Sequence, residues 1–142
     1  MDLEQTFERY HQAAEDFARG NPERVKSLWS QRADVILANP FGPAVVGWDK
    51  VSAALDYASS RFTDGDLPDF EVAARYLSGD LATIFANERW RARVAGGDEI
   101  STMELRVTST FRLEEGDWKL VHRHADPIAT ADDQGPLRRS FT

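Results

Sequence analysis

LATIFANERWRARVAGGDEISTMELRVTSTFRLEEGDWKLVHRHA, residues 81–125, decides the fold, because apolar and polar side chains alternate through it with a period of two. Three strands are read from it: Leu81–Val94, Met103–Leu113 and Trp118–Ala125. The segments Ala95-Gly96-Gly97-Asp98 and Glu114-Glu115-Gly116-Asp117 join them as hairpin turns. A fourth strand, Phe70–Leu77, enters the meander through Ser78-Gly79-Asp80. Upstream the period is helical. Leu3, Phe7, Tyr10, Ala14 and Phe17 form one stripe that Gly20 ends, and Asn21-Pro22-Glu23 starts a short second helix with Val25, Leu28 and Trp29 on its buried side. Residues 34–39 read as a short strand closed by Pro40 and Gly42. A third helix starts at Trp48 and buries Val51, Leu55, Ala58 and Phe62. Helices followed by an antiparallel meander give an α+β fold, with the helices on one face of the sheet.

Alternation also sorts side chains by face. Ile84, Ala86, Glu88, Trp90 and Ala92 share the helix-covered face with Met103, Leu105, Val107, Ser109 and Phe111. Carried through the last strand, the same rule sets Trp118, Leu120, His122, His124 and Asp126 on that face. Glu88, Ser109, His122, His124 and Asp126 are thus expected together in an otherwise apolar layer. Burying such groups unpaired costs about 1–3 kcal/mol each, so five of them favour a pocket with convergent polar groups. The opposite face carries Arg89, Arg91, Arg93, Arg106 and Arg112, read as a solvated or subunit-contacting surface.

Composition removes whole classes of function. The 142 residues carry a net charge of −7, the wrong sign for a phosphate footprint or an anionic membrane. Without cysteine there is no disulfide, thiolate zinc site or cysteine nucleophile. No apolar run is long enough to span a bilayer, and the acidic start MDLEQTFERY is unlike a signal peptide. The chain reads as soluble and cytoplasmic. Residues 1–128 make one domain, and residues 129–142, which lack any period, make a tail expected to be flexible and dispensable for folding.

His122-Arg123-His124-Ala125-Asp126 begins like a metal signature, but Pro127 stands in its sixth position and His11 is the one other histidine. Ser59, Ser60 and Ser109 sit in no nucleophile elbow. Acid–base chemistry by histidine and carboxylate, with neither metal nor cofactor, is the chemistry that these residues suit best.

The helix ending Ala18-Arg19-Gly20-Asn21 and the strand ending Ala38-Asn39-Pro40-Phe41-Gly42 supply two elements of a family pattern. The helix after Gly47-Trp48 and the close from Phe111 to His124 complete it. Together they resemble the nuclear transport factor 2-like superfamily, in its SnoaL-like, ketosteroid isomerase-related bacterial branch. The resemblance covers roughly residues 3 to 128. It implies a cone of curved sheet around helices, a pocket inside the cone and often a homodimer across the sheet. The catalytic residues of the ketosteroid isomerases are changed here. Their general-base Asp, which precedes a Pro, is Asn39; their oxyanion-hole Asp is Ser109; their tyrosine is Ala13, with Tyr10 one turn earlier. The association domain of calcium/calmodulin-dependent protein kinase is also similar in its ending, and its pocket arginine again falls at Ser109.

The leading expectation is a cofactor-independent isomerase, dehydratase or cyclase of the SnoaL-like type, acting on a small apolar molecule. His124 is taken as base, flanked by Asp126, with Glu88 as its carboxylate partner. Asn39, Tyr10, Trp29, Trp48, Trp90, Ser109 and His122 are expected around the substrate. The alternative is a non-catalytic ligand-binding or oligomerisation module of the same fold.

Overall fold

A computed structural model of the chain describes residues 1–40 and 42–128. The expected tail, 129–142, lies outside the described residues. Three helices, α1 (Leu3–Ala18), α2 (Glu23–Ser27) and α3 (Trp48–Ser60), pack into the hollow of a strongly curled seven-stranded sheet. Its strands are β1 (Ile36–Ala38), β2 (Val45–Val46), β3 (Phe62–Thr63), β4 (Asp69–Ser78), β5 (Leu81–Val94), β6 (Ile100–Glu114) and β7 (Asp117–Pro127).

The helix α1 begins with a reciprocal cap. Asp2 accepts from the Gln5 backbone N–H at 2.8 Å, and Gln5 accepts from the Asp2 backbone N–H at 3.0 Å. Its buried stripe of Phe7, Tyr10, Ala14 and Phe17 is the one read from the sequence. The β6–β7 turn is Glu115-Gly116, both at positive φ (51° and 87°), the two-residue geometry that matches strand twist.

The sheet runs β2-β1-β7-β6-β5-β3, with β4 also paired to β5. The long meander is antiparallel as expected, but β1 lies parallel to β7, with Ile36 opposite His122 and Ala38 opposite His124. The sheet is therefore mixed. This parallel seam carries the end of β1, and with it Asn39, to the rim of the hollow. The core fills the concave side, where Trp29, Ile84, Val107, Phe111 and Leu120 are almost wholly buried.

One irregularity governs the site. From Leu105 to Thr110, β6 pairs with Pro127 to His122, yet its next residue, Phe111, pairs with Leu120. Val121 is left over, an extra residue in β7 that resets its alternation. Trp118 and Leu120 obey the even-numbered pattern. Beyond the bulge the inward residues are odd-numbered: Arg123 and Ala125 are buried, whereas His124 is exposed and His122 half-buried. The expected face of His122, His124 and Asp126 is corrected accordingly: all three lie on the convex side.

Candidate ligand pocket

An apolar cavity opens between α1, α3 and the concave sheet. Phe17, Leu37, Leu55, Phe62, Trp90 and Leu105 give it its greasy wall, and Tyr10, Asn39 and Arg123 give it polar atoms. The cavity volume is about 50 Å³. That is on the order of four waters, about a third of a cavity that takes benzene.

Arg123 is the charged group of the wall. It is buried, and its guanidinium is held in a fork by Glu88: Nη1 donates to Oε2 at 3.0 Å and Nη2 to Oε1 at 2.8 Å. Trp90 Nε1 donates to the same Oε1 at 2.9 Å, so the carboxylate receives three hydrogen bonds. Glu88 and Trp90 stand two apart on β5, which puts both side chains on the concave face. The Tyr10 ring lies under the guanidinium, with 5.4 Å from Arg123 Cζ to the ring centroid. Trp90 is itself fixed by Phe62, stacked at 6.3 Å, and by Phe17, edge-on at 6.0 Å.

The electrostatics follow from burial and pairing. Burial works against the charge on Arg123, but Glu88 and Tyr10 outweigh it and raise its pKa. Tyr10 is pushed up to about 12, chiefly by burial, with Arg123 opposing and Glu88 assisting. At neutral pH the wall thus presents a permanent cation and a protonated phenol, with the negative charge held behind them.

The residues singled out from the sequence divide into three groups. Tyr10, Asn39 and Trp90 line the cavity, and Glu88 sits behind its wall. Trp29 and Ser109 are buried in the core away from the cavity lining, and Trp48 is half-buried over a surface groove with Arg32 and Lys50. His122, His124 and Asp126 are on the convex face, where they pair across strands with Thr110, Thr108 and Arg106. Glu88 therefore has Arg123, not a histidine, as its partner, and Asp126 is bound to Arg106 at 2.9 and 3.0 Å. The His122 pKa is lowered, first by partial burial and then by His124 beside it. Among the described residues no group of three or more His, Cys, Asp or Glu is arranged to hold a metal ion. No helix among them is long and apolar enough to cross a membrane.

The convex arginines are each matched by a carboxylate: Arg89 by Glu104, Arg91 by Asp66, Arg93 by Asp64, Arg106 by Asp126 and Arg112 by Asp34 and Glu114. This face is charge-balanced. Arg123 is the residue that sequence reasoning missed. Its signal was the change of apolar parity from Trp118 and Leu120 to Val121 and Ala125, the mark of a residue inserted in a strand.

Helices packed into a strongly curled sheet define the cone-shaped α+β class. The chain belongs to the SnoaL-like domain family, whose model matches residues 3–130. Solved structures agree on the fold. A candidate dehydratase of the NTF2-like family from Streptomyces avermitilis is 22% identical, with a TM-score of 0.71 over 90% of this chain and 94% of that one. A ketosteroid isomerase-like protein from Erwinia carotovora atroseptica is 17% identical, with a TM-score of 0.74 over 90% and 95%. A candidate calcium/calmodulin-dependent protein kinase type II association domain from Thiobacillus denitrificans is 18% identical, with a TM-score of 0.71 over 89% and 95%. A search of curated proteins finds no match. Arg123 is the direct cross-strand partner of Ser109.

Proposed function

We propose that the cone binds a small, largely apolar molecule bearing one oxygen acceptor, and that the domain works by holding this ligand. The observation that carries this reading is Arg123, the single buried cation among the described residues, in a wall that is otherwise mostly hydrocarbon. Glu88 occupies two of its five N–H groups. The others, with the Tyr10 hydroxyl, suit an oxygen presented from the cavity.

Of the two classes open from the sequence, ligand binding fits the lining better than acid–base turnover. A general base needs a pKa near the working pH and reach to its proton. Tyr10 at about 12 is a donor at neutral pH, Arg123 stays charged, and His124 points away from the cavity. The isomerase, dehydratase or cyclase reading rests on Glu88, which lies one hydrogen bond behind both Trp90 and Arg123. A substrate that drew Arg123 aside would meet that carboxylate.

Thermal unfolding against a panel of small neutral ketones, esters and amides tests the binding reading. A ligand that binds the folded state raises the melting temperature in proportion to RT ln(1 + [L]/Kd). A rise with any member of the panel supports it; no rise with any member overturns it. The expected homodimer is proposed through the convex face of β5, β6 and β7, and would sediment at twice 16.0 kDa.

A further inference from the structure

A lone buried arginine attracts anions, but Arg123 is not electrically alone. Its guanidinium plane meets the Glu88 carboxylate through two parallel hydrogen bonds of 3.0 and 2.8 Å. Glu88 is 2% exposed and Arg123 7%, so water does little to screen either charge. The pair is neutral as a unit. Arg123 still lines the cavity, and Glu88 uses two of its five N–H groups.

From this geometry we infer that Glu88 sets the charge selectivity of the cone: by neutralising Arg123 it makes the pocket accept uncharged oxygen acceptors and refuse carboxylates. A carboxylate entering the cavity would bring a second negative charge to one cation, inside a wall of Phe17, Leu37, Leu55 and Phe62 that cannot solvate it. A carbonyl of the same shape takes the same N–H donors and adds no charge. Trp90 strengthens the arrangement, because its indole N–H holds Glu88 in the fork orientation at 2.9 Å. The inference rests on the binding reading above and assigns its ligand class.

Isovaleramide and isovalerate are the probes, equal in heavy-atom count and different in charge. The Trp90 indole N–H resonance reports occupancy, since Trp90 both lines the cavity and touches Glu88. In the wild-type chain isovaleramide should shift that resonance and bind at least about tenfold tighter than isovalerate. Glu88→Gln keeps an acceptor for Trp90 and leaves Arg123 as a net cation, so the order should reverse, with isovalerate gaining about tenfold or more. Equal or tighter binding of isovalerate to the wild-type pocket would overturn the inference and leave the binding reading standing. A folded Glu88→Gln chain that still prefers the amide would do the same. If neither probe moves Trp90 at its solubility limit, both readings fall. The wild-type comparison decides the matter even where the variant does not fold.

Discussion

The two faces of the sheet handle charge in opposite ways. On the convex side, Arg106 and Asp126 meet at 2.9 Å with both side chains about half exposed, as do Arg89 and Glu104 at 2.8 Å. On the concave side, Arg123 and Glu88 meet at the same 2.8 Å with almost no exposure. Distance is alike and dielectric is not. Water already stabilises the convex charges, so separating them changes little. The concave charges have each other and little else, so each depends on its partner. Geometry of contact alone therefore says nothing about which pair matters.

The largest expected effect follows directly. Arg123→Ala strands the Glu88 carboxylate and should lower the unfolding free energy by about 3–5 kcal/mol in urea titration. Replacing both partners by apolar residues of similar size, Glu88→Leu with Arg123→Met, should recover most of that loss. Asp126→Asn on the convex side should leave the urea midpoint within experimental error. A midpoint shift as large as that of Arg123→Ala would erase the distinction between the faces.

Tyr10 gives the next effect. Its folded pKa of about 12 lies above the ordinary value near 10, so its contribution is fully present below pH 10 and is lost as the pH rises toward 12. The loss amounts to about 2–3 kcal/mol, and Tyr10→Phe should remove that part of the decline. Absorbance titration of the phenols should show one of the three tyrosines ionising late. Three coincident titrations near pH 10 would contradict the burial of Tyr10 against Arg123.

The smallest effect is on the convex face. His122 should titrate below the ordinary 6.5, because partial burial and then His124 disfavour its charge. Its contribution is present above pH 6.5 and fades as the pH falls through its lowered pKa. The imidazole carbon shifts in NMR read this directly, and a midpoint above 6.5 would place His122 beside a carboxylate instead.

Much of this architecture was legible because it rests on period. The stripe of α1, the alternation of β5 and β6 and the glycine-bearing turns are local signals; of the residues named from the sequence, Tyr10, Asn39 and Trp90 line the cavity and Glu88 stands behind its wall. What was not legible was a change of one residue. The bulge at Val121 reverses every side chain after it, so His124 and Arg123 exchange faces although nothing in either residue type announces it. The parallel seam between β1 and β7 was likewise hidden, because pairing partners far apart in sequence leave no periodic trace. A glutamate in an apolar strand did ask for a cation, and the arginine between two histidines answered it.

In the proposed function Arg123 faces the ligand and His124 faces away. The affinity of isovaleramide for three chains tests this: wild type, His124→Ala, and the apolar double variant Glu88→Leu/Arg123→Met. The account expects His124→Ala to bind as wild type does and the double variant, folded, to lose at least about tenfold in affinity with its charged donor. Binding lost in His124→Ala and kept in the double variant would contradict it.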